Sequence, residues 1–329
     1  MWFRNALGIV IGWMLCLLLL AGAVWVTGAF YFDLPLPAPL RMMSAILWVA
    51  GVIALLGLMR PFRQAMVVLA IFFFLALGWW LTLKPQADRD WRPDVAVTAR
   101  ATLQGDWVTI ENVRNIRYRT EEEYTPRYET RRYRLSQLRG ADLFLTNWGA
   151  PLIAHPIVSF DFGPDGRIAF SVETRPEKGE SYSAIAGFYR QFELICIPAD
   201  ERDVIGVRAI YRKGEEVYLY PLQLSPELLR LRFLDYIALL NTLHARPEWY
   251  NALTNNCTTS IRTQSGSSER IPWDWRILAN GYADELLYDR GIIRHKLPFQ
   301  ELKERSHINA LAREADEASF SQVIRSKLP

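Results

Sequence analysis

The chain has 329 residues, half of them hydrophobic, with a formal net charge of +3 and three cysteines. That length accommodates a membrane module and one domain of ordinary size. The small charge excludes the concentrated basic footprint of a nucleic-acid binder, and so few cysteines exclude a disulfide framework and a four-cysteine zinc site.

Three stretches near the start carry no charged residue: 5–32, 42–59 and 64–83. A helix needs about 20 apolar residues to cross the hydrocarbon core, and each stretch meets or approaches that length. A cleaved signal peptide is the rival reading of the first. Its apolar run far exceeds the roughly 7–15 residues of a signal-peptide core, and two more spans follow, so all three are read as transmembrane helices within a module at 1–84. Arg4 precedes the first span, and Arg60 and Arg63 flank the tight connection between the second and third. Short basic segments stay on the cytoplasmic side, which places everything after Lys84 outside. Arg41, Lys84, Arg89 and Arg92 pull the other way, but the size of the domain that follows weakens their influence. Trp79 and Trp80 suit an interfacial aromatic belt.

Residues 85–106 read as a linker, 107–295 as a water-facing domain and 296–329 as a charged helical tail that either packs on the domain or frays. Strand patterns are predicted at 107–118, 141–148, 157–162, 167–174 and 190–197, with a further hairpin over 203–221. The Arg/Tyr-rich stretch 114–139 predicts a pair of exposed strands with arginines stacked along tyrosines. A phosphate head-group patch is the sharper alternative, diluted by Glu121, Glu122, Glu123 and Glu129. Residues 226–245 have helical periodicity through Leu228, Leu229, Phe233, Ile237, Leu240 and Leu243. Further helices are predicted at 256–263 and 275–288. Strands first and helices later indicate an α+β domain.

The segment 155–174 is a hairpin around Gly163-Pro164-Asp165-Gly166. A type I turn with a glycine bulge would pair Gly163 with Arg167, Ile157 with Glu173 and His155 with Arg175. Val158, Phe160, Phe162, Ile168, Phe170 and Val172 then make an apolar face. His155, Ile157, Ser159, Asp161, Arg167, Ala169, Ser171 and Glu173 make the other, with His155 and Glu173 as diagonal neighbours. A histidine oriented by a carboxylate is a candidate general base; taken alone, the pair reads rather as a surface histidine near a surface glutamate.

Cys257 follows Asn255 and Asn256, either of which is a good N-cap. In the first turn of a helix, unpaired N–H groups and the dipole favour the thiolate and can hold an oxyanion. The competing reading is an inert buried thiol, a role for which Cys196, in an apolar run, is better suited. A Cys196–Cys257 bridge stays open for an extracytoplasmic domain. His244, His295 and His307 lack metal-ligand spacing, so neither a metal nor another cofactor is expected. Trp273, Trp275 and Tyr282 are read as packing residues. Asp284 and Glu285 are read as a solvated helix face.

A histidine on an early strand, a polar partner on the next and a later Asn-Cys pair opening a helix resembles the circularly permuted papain-like superfamily, the NlpC-type cysteine enzymes. The stretches 250–259 (YNALTNNCTT), 154–163 (AHPIVSFDFG), 171–183 (SVETRPEKGESYS) and 284–291 (DELLYDRG) are more specifically similar to the Lnb N-terminal periplasmic domain family, a similarity covering most of 110–295. The resemblance implies a membrane-anchored α+β fold with a permuted papain-like domain facing the periplasm of a bacterial inner membrane. It also implies acyl transfer of the kind that N-acylates lipoproteins, with Cys257 as nucleophile, His155 as base and Glu173 as its orienting group. Asn255, Asn256, Thr258 and Tyr250 would support the substrate or oxyanion.

Three functions are compatible with these residues. The first is a membrane-tethered thiol acyltransferase or transacylase that forms a thioester on Cys257 from a membrane-lipid or lipoprotein ester. The second is a thiol hydrolase of the cell envelope, acting on peptide, amide or lipid ester, with peptidoglycan as a candidate substrate. The third is a non-catalytic binding or scaffold module. Oligomeric state is not encoded in any feature of the sequence.

Overall fold

The computed structural model describes residues 2–150, 152–183, 185–252, 254–255, 274–277 and 279–328. They divide into two compact units, one comprising 1–86 with 182–192 and the other 87–181 with 193–329.

The first unit contains α1 (Trp2–Asp33), α2 (Ala38–Leu58) and α3 (Phe62–Thr82). Val10–Asp33 and all of α2 and α3 are long and apolar enough to span a bilayer. Proline starts the last two helices: Pro37 is the N-cap of α2 and Pro61 that of α3, positions where a missing N–H costs little. The helices meet through small residues. Ala23, Ala29, Ala65 and Ala76 are buried with Val26, Met66 and Leu69, and the Trp48 indole donates to the carbonyl of Ala23 at 2.9 Å. Close approach through small side chains is how helices associate where lipid removes the hydrophobic incentive.

The second unit is built on an eight-stranded mixed sheet. Its strands are β1 (Arg100–Gln104), β2 (Trp107–Arg114), β5 (Tyr128–Arg134), β6 (Gly140–Asn147), β7 (Ala154–Asp161), β8 (Arg167–Arg175), β9 (Glu193–Ala199) and β10 (Glu216–Pro221). They run in the order β1-β2-β9-β8-β7-β6-β10, with β5 also on β2. Every ladder is antiparallel except a single parallel pair, Arg114 with Ala199. Arg117–Tyr118 (β3) and Tyr124–Thr125 (β4) form a separate small hairpin. Asn112, at φ 62, marks the bulge where β2 shifts register against β5.

Helices cover both faces. On one, α5 (Pro226–Ala245), capped by Ser225, lays Phe233 and Tyr236 over Phe160 and Phe170, with ring centroids 5.2–6.0 Å apart. Each phenylalanine fully buried this way contributes about 1.5–3 kcal/mol. On the other, Ile157, Ala169, Ile195, Ile197 and Ala199 pack against Val204, Ile205, Ala209, Ile308, Ala312, Phe320 and Ile324. Those partners come from α4 (Glu201–Val204), the π-turn Val207–Tyr211, α8 (Asn309–Glu314) and α9 (Phe320–Val323). The shorter α6 (Ala283–Asp289) and α7 (Phe299–Ser306) lie before them in the chain.

Several expectations are corrected. β1 lies within the segment read as a linker. The predicted hairpin 203–221 is half helical: Asp200 caps α4 by accepting from the Arg202 N–H at 3.0 Å, and only Glu216–Pro221 is a strand. Over 275–288, two separate 3-10 turns, Trp275–Ile277 and Asn280–Tyr282, precede the short α6. The tail is packed, with Leu302, Ile308, Phe320 and Ile324 buried. Asp284 is buried rather than solvated: it accepts from the Tyr220 hydroxyl at 2.9 Å and pairs with Lys303 at 2.8 Å.

Candidate functional site

The hairpin register sets the site. Phe162 N–H bonds the carbonyl of Gly166, and Gly163 and Gly166 both adopt positive φ, so a five-residue loop, 162–166, closes on the pair Asp161–Arg167. The predicted pairing is therefore displaced by two residues: Ile157 faces Ser171, and His155 falls opposite Glu173 rather than Arg175. A shift of two keeps every side chain on its predicted face. His155, Ser171 and Glu173 thus share one face, as expected, but closer than as diagonal neighbours.

The contact between His155 and Glu173 runs through a serine. His155 Nε2 lies 2.7 Å from Ser171 Oγ, whose hydroxyl donates to Glu173 Oε1 at 2.6 Å. The direct separation of Nε2 and Oε1 is 3.8 Å. A serine hydroxyl has one hydrogen, and here it goes to the carboxylate. Ser171 must then accept from Nε2–H, which fixes the imidazole tautomer and leaves the lone pair on Nδ1. Nδ1 has no hydrogen-bond partner among the described residues.

Arg208 anchors the other end. The π-turn that carries it aims its guanidinium at Glu173 Oε1, 3.1 Å away, and at Glu215 Oε2, 3.2 Å away. Arg208 holds the Glu173 carboxyl far below the usual range despite burial, with help from His155, Arg114 and Ser171. Burial and the positive charge of Arg208 push His155 down to about 3. At neutral pH the row is an anionic glutamate, a neutral histidine and a serine fixed between them. Thr146 sits directly across from His155 on β6, and its buried hydroxyl makes no hydrogen bond among the described residues. Ser171 was legible as a small residue of this face; Arg208 and Thr146 left no signal that separates them from other arginines and threonines.

Asn256, Cys257 and Thr258 lie outside the described residues, as do the predicted helix 256–263 and Trp273. Before 256–273, Trp249 bridges to Glu193, and Leu194 N–H bonds the carbonyl of Glu248, which ties this stretch to the start of β9. Tyr250 is buried. Asn251 and Asn255 exchange two backbone hydrogen bonds, and the Asn255 amide donates back to the carbonyl of Trp249 at 3.0 Å. After 256–273, the Asn280 side chain accepts from the Ala154 N–H at 2.8 Å, next to His155. The start of β9, the end of β8 and the start of β7 form one end of the sheet. Residues 248–255 and Asn280, which precede and follow Cys257 in the chain, are thus tied to the end of the sheet that carries His155 and Glu173.

Cys196 is a free thiol, buried on β9, and burial pushes its pKa upward. Cys257, the other half of the candidate bridge, lies outside the described residues. His244, His295 and His307 pair instead with Thr98, the Tyr288 ring and Glu216. Among the described residues no three His, Cys, Asp or Glu side chains gather as metal ligands.

The histidine–serine–glutamate row lies on the second and third strands of the meander β6-β7-β8. Residues 124–281 match the Lnb N-terminal periplasmic domain family. The match spans His155, Ser171, Glu173, Arg208 and the whole of 256–273. No curated protein and no solved structure matches the chain. Three apolar helices ahead of a stretch that matches a periplasmic domain family fit a membrane protein with a periplasmic domain.

Proposed function

We propose that the protein is a thiol-dependent acyltransferase of the bacterial inner membrane, with a permuted papain-like domain, Cys257 as nucleophile and His155 as base. The observation that carries this reading is the fixed row Arg208–Glu173–Ser171–His155, which leaves the Nδ1 lone pair available at the end of the sheet where residues 248–255 and Asn280 are tied.

The steps follow from that tautomer. The Cys257 thiol gives its proton to Nδ1, and the sulfur attacks the carbonyl carbon of a lipid or lipoprotein ester. The C–S bond forms, the C–O bond breaks, and the imidazolium returns the proton to the departing alkoxide. An acceptor amine then attacks the thioester and loses its proton to Nδ1 as the C–S bond breaks. Glu173 stabilises the transient imidazolium through Ser171 and keeps the ring oriented. Tyr250 and the polar residues Asn255, Asn256 and Thr258 are donors suited to the reacting carbonyl oxygen. Covalent attachment to membrane helices raises the effective concentration of a lipid substrate.

Hydrolysis, with water in place of the amine, uses the same first half-reaction. A scaffold role would need none of it. The free state of Cys196 and the preorganised histidine favour catalysis over the scaffold. Alkylation of Cys257 in the full-length protein distinguishes them. The reading predicts rapid alkylation at neutral pH that His155→Ala abolishes and Ser171→Ala slows, Ser171 acting as a positioning residue that fixes the tautomer of the base. Alkylation at the rate of an ordinary thiol, unchanged in both variants, would refute it.

A further inference from the structure

The stretch Tyr182–Phe192 interrupts the periplasmic domain between β8 and β9 but belongs to the unit of membrane helices. It is seated on α1 and α3 by specific contacts. The Arg190 N–H bonds Asp33 Oδ1 at 3.1 Å, while Asp33 Oδ2 accepts from the Trp80 indole at 2.6 Å. The Arg190 guanidinium lies 4.0 Å over the Trp80 ring and bonds the carbonyl of Leu83. Tyr189 stacks on Phe32 and Trp25. It occupies the space above Gly28, where a Cβ would lie 1.9 Å from the tyrosine hydroxyl.

Those contacts fix depth. Asp33 is the last residue of the span Val10–Asp33, and Gly28 lies five residues earlier, about 7 Å down the helix at 1.5 Å per residue. The Tyr189 ring is therefore inside the apolar span, not above it. The 3-10 turn Ala186–Phe188 leads directly into Tyr189, and its two sides differ. Ala186 and Gly187 are buried, whereas Ile185 is 65 % exposed, Phe188 41 % and Tyr182 52 %. Apolar side chains held at this level continue the lipid-facing surface of the helices. Aromatic and aliphatic groups inserted about 5–10 Å below the head groups are how interfacial segments bind bilayers.

We infer that Tyr182–Phe192 is a lipid-inserted loop whose Ile185 and Phe188 side chains sit among the acyl chains of the periplasmic leaflet. Charge on the loop fits this placement. Between Tyr182 and Phe192 the single charged residue is Arg190, and it is occupied by Asp33, Trp80 and Leu83.

The test is photocrosslinking of the full-length protein in vesicles of phosphatidylethanolamine and phosphatidylglycerol. Benzoylphenylalanine replaces Ile185, Phe188, the lipid-facing Val24 of α1 or the exposed Glu122 of the β3–β4 hairpin, one at a time. Mass spectrometry of the products should show phospholipid adducts at 185 and 188 in the yield found at 24, with loss of adduct at 122. Absence of lipid adducts at both 185 and 188, or crosslinks there to a second copy of the chain, would overturn the inference.

Discussion

At the scale of single residues, the account depends on where one proton sits. Ser171 gives its hydrogen to Glu173 and so compels His155 to carry its own on Nε2. Folding lowers the pKa of His155 to about 3 from an ordinary value of 6.5. Between those values the unfolded chain takes up a proton that the folded chain refuses. Stability is therefore fully present above about pH 6.5 and falls as the pH drops toward 3. Glu173, with its folded pKa depressed, adds stability above the ordinary carboxylate range that is lost on further acidification. In thermal unfolding of the full-length protein, His155→Gln should flatten the dependence of the melting temperature on pH between about 6.5 and 4.5, above the carboxylate range. An unchanged slope would show that His155 is not held neutral by its surroundings. The same residues show how far sequence carries. The face shared by His155 and Glu173 is legible from alternation. The serine between them is not, because the pairing depends on a two-residue choice of loop that Gly163 and Gly166 permit in more than one form.

At the scale of elements, β8 presents Ser171 and Glu173 at alternate positions, and the π-turn Val207–Tyr211 brings Arg208 to the carboxylate. This turn occupies a stretch whose branched residues read as a strand. Asp200, as a cap, and the burial of Val204, Ile205 and Ala209 against one sheet face override that local preference. A three-way pairing elsewhere on the same face has a structural role: Arg325 joins Asp142 and Glu201 at 2.8 and 2.6 Å, which fastens the C-terminal segment to the sheet. Arg208 differs, since its carboxylate partner is also bonded to the candidate site. Arg208→Met should leave Glu173 as a buried, unpaired anion. Removing one partner of a buried pair costs about 3–5 kcal/mol, and the Glu173 pKa should rise toward neutrality. Denaturant unfolding at neutral and at mildly acidic pH reads both effects, because protonated Glu173 no longer demands a cation. A loss of stability that is equal at the two pH values would contradict this assignment.

At the scale of the molecule, the division between apolar helices and a charged domain is plain in the sequence because charge is absent from three long runs and frequent afterwards. The α+β character is similarly legible, from alternation over 157–174 and the helical period over 226–245. The order of strands in the sheet is not, since β9 reaches its place between β2 and β8 through long-range pairs that leave no local pattern. Cys257 is legible as a candidate from its polar neighbours and from its family resemblance. The structure adds the tautomer of the histidine, the free state of Cys196 and the attachment of residues 248–255 and Asn280 to the His155 end of the sheet. The central claim is that an acyl group passes through Cys257, and it is tested most directly by searching for the acyl-enzyme. Full-length protein in phospholipid vesicles, without added amine acceptor, would be digested and its Cys257 peptide analysed by mass spectrometry. The account predicts a fatty-acyl thioester on Cys257 that hydroxylamine releases and that is missing in His155→Ala. A Cys257 peptide that is never acylated, or is acylated equally without His155, would contradict it.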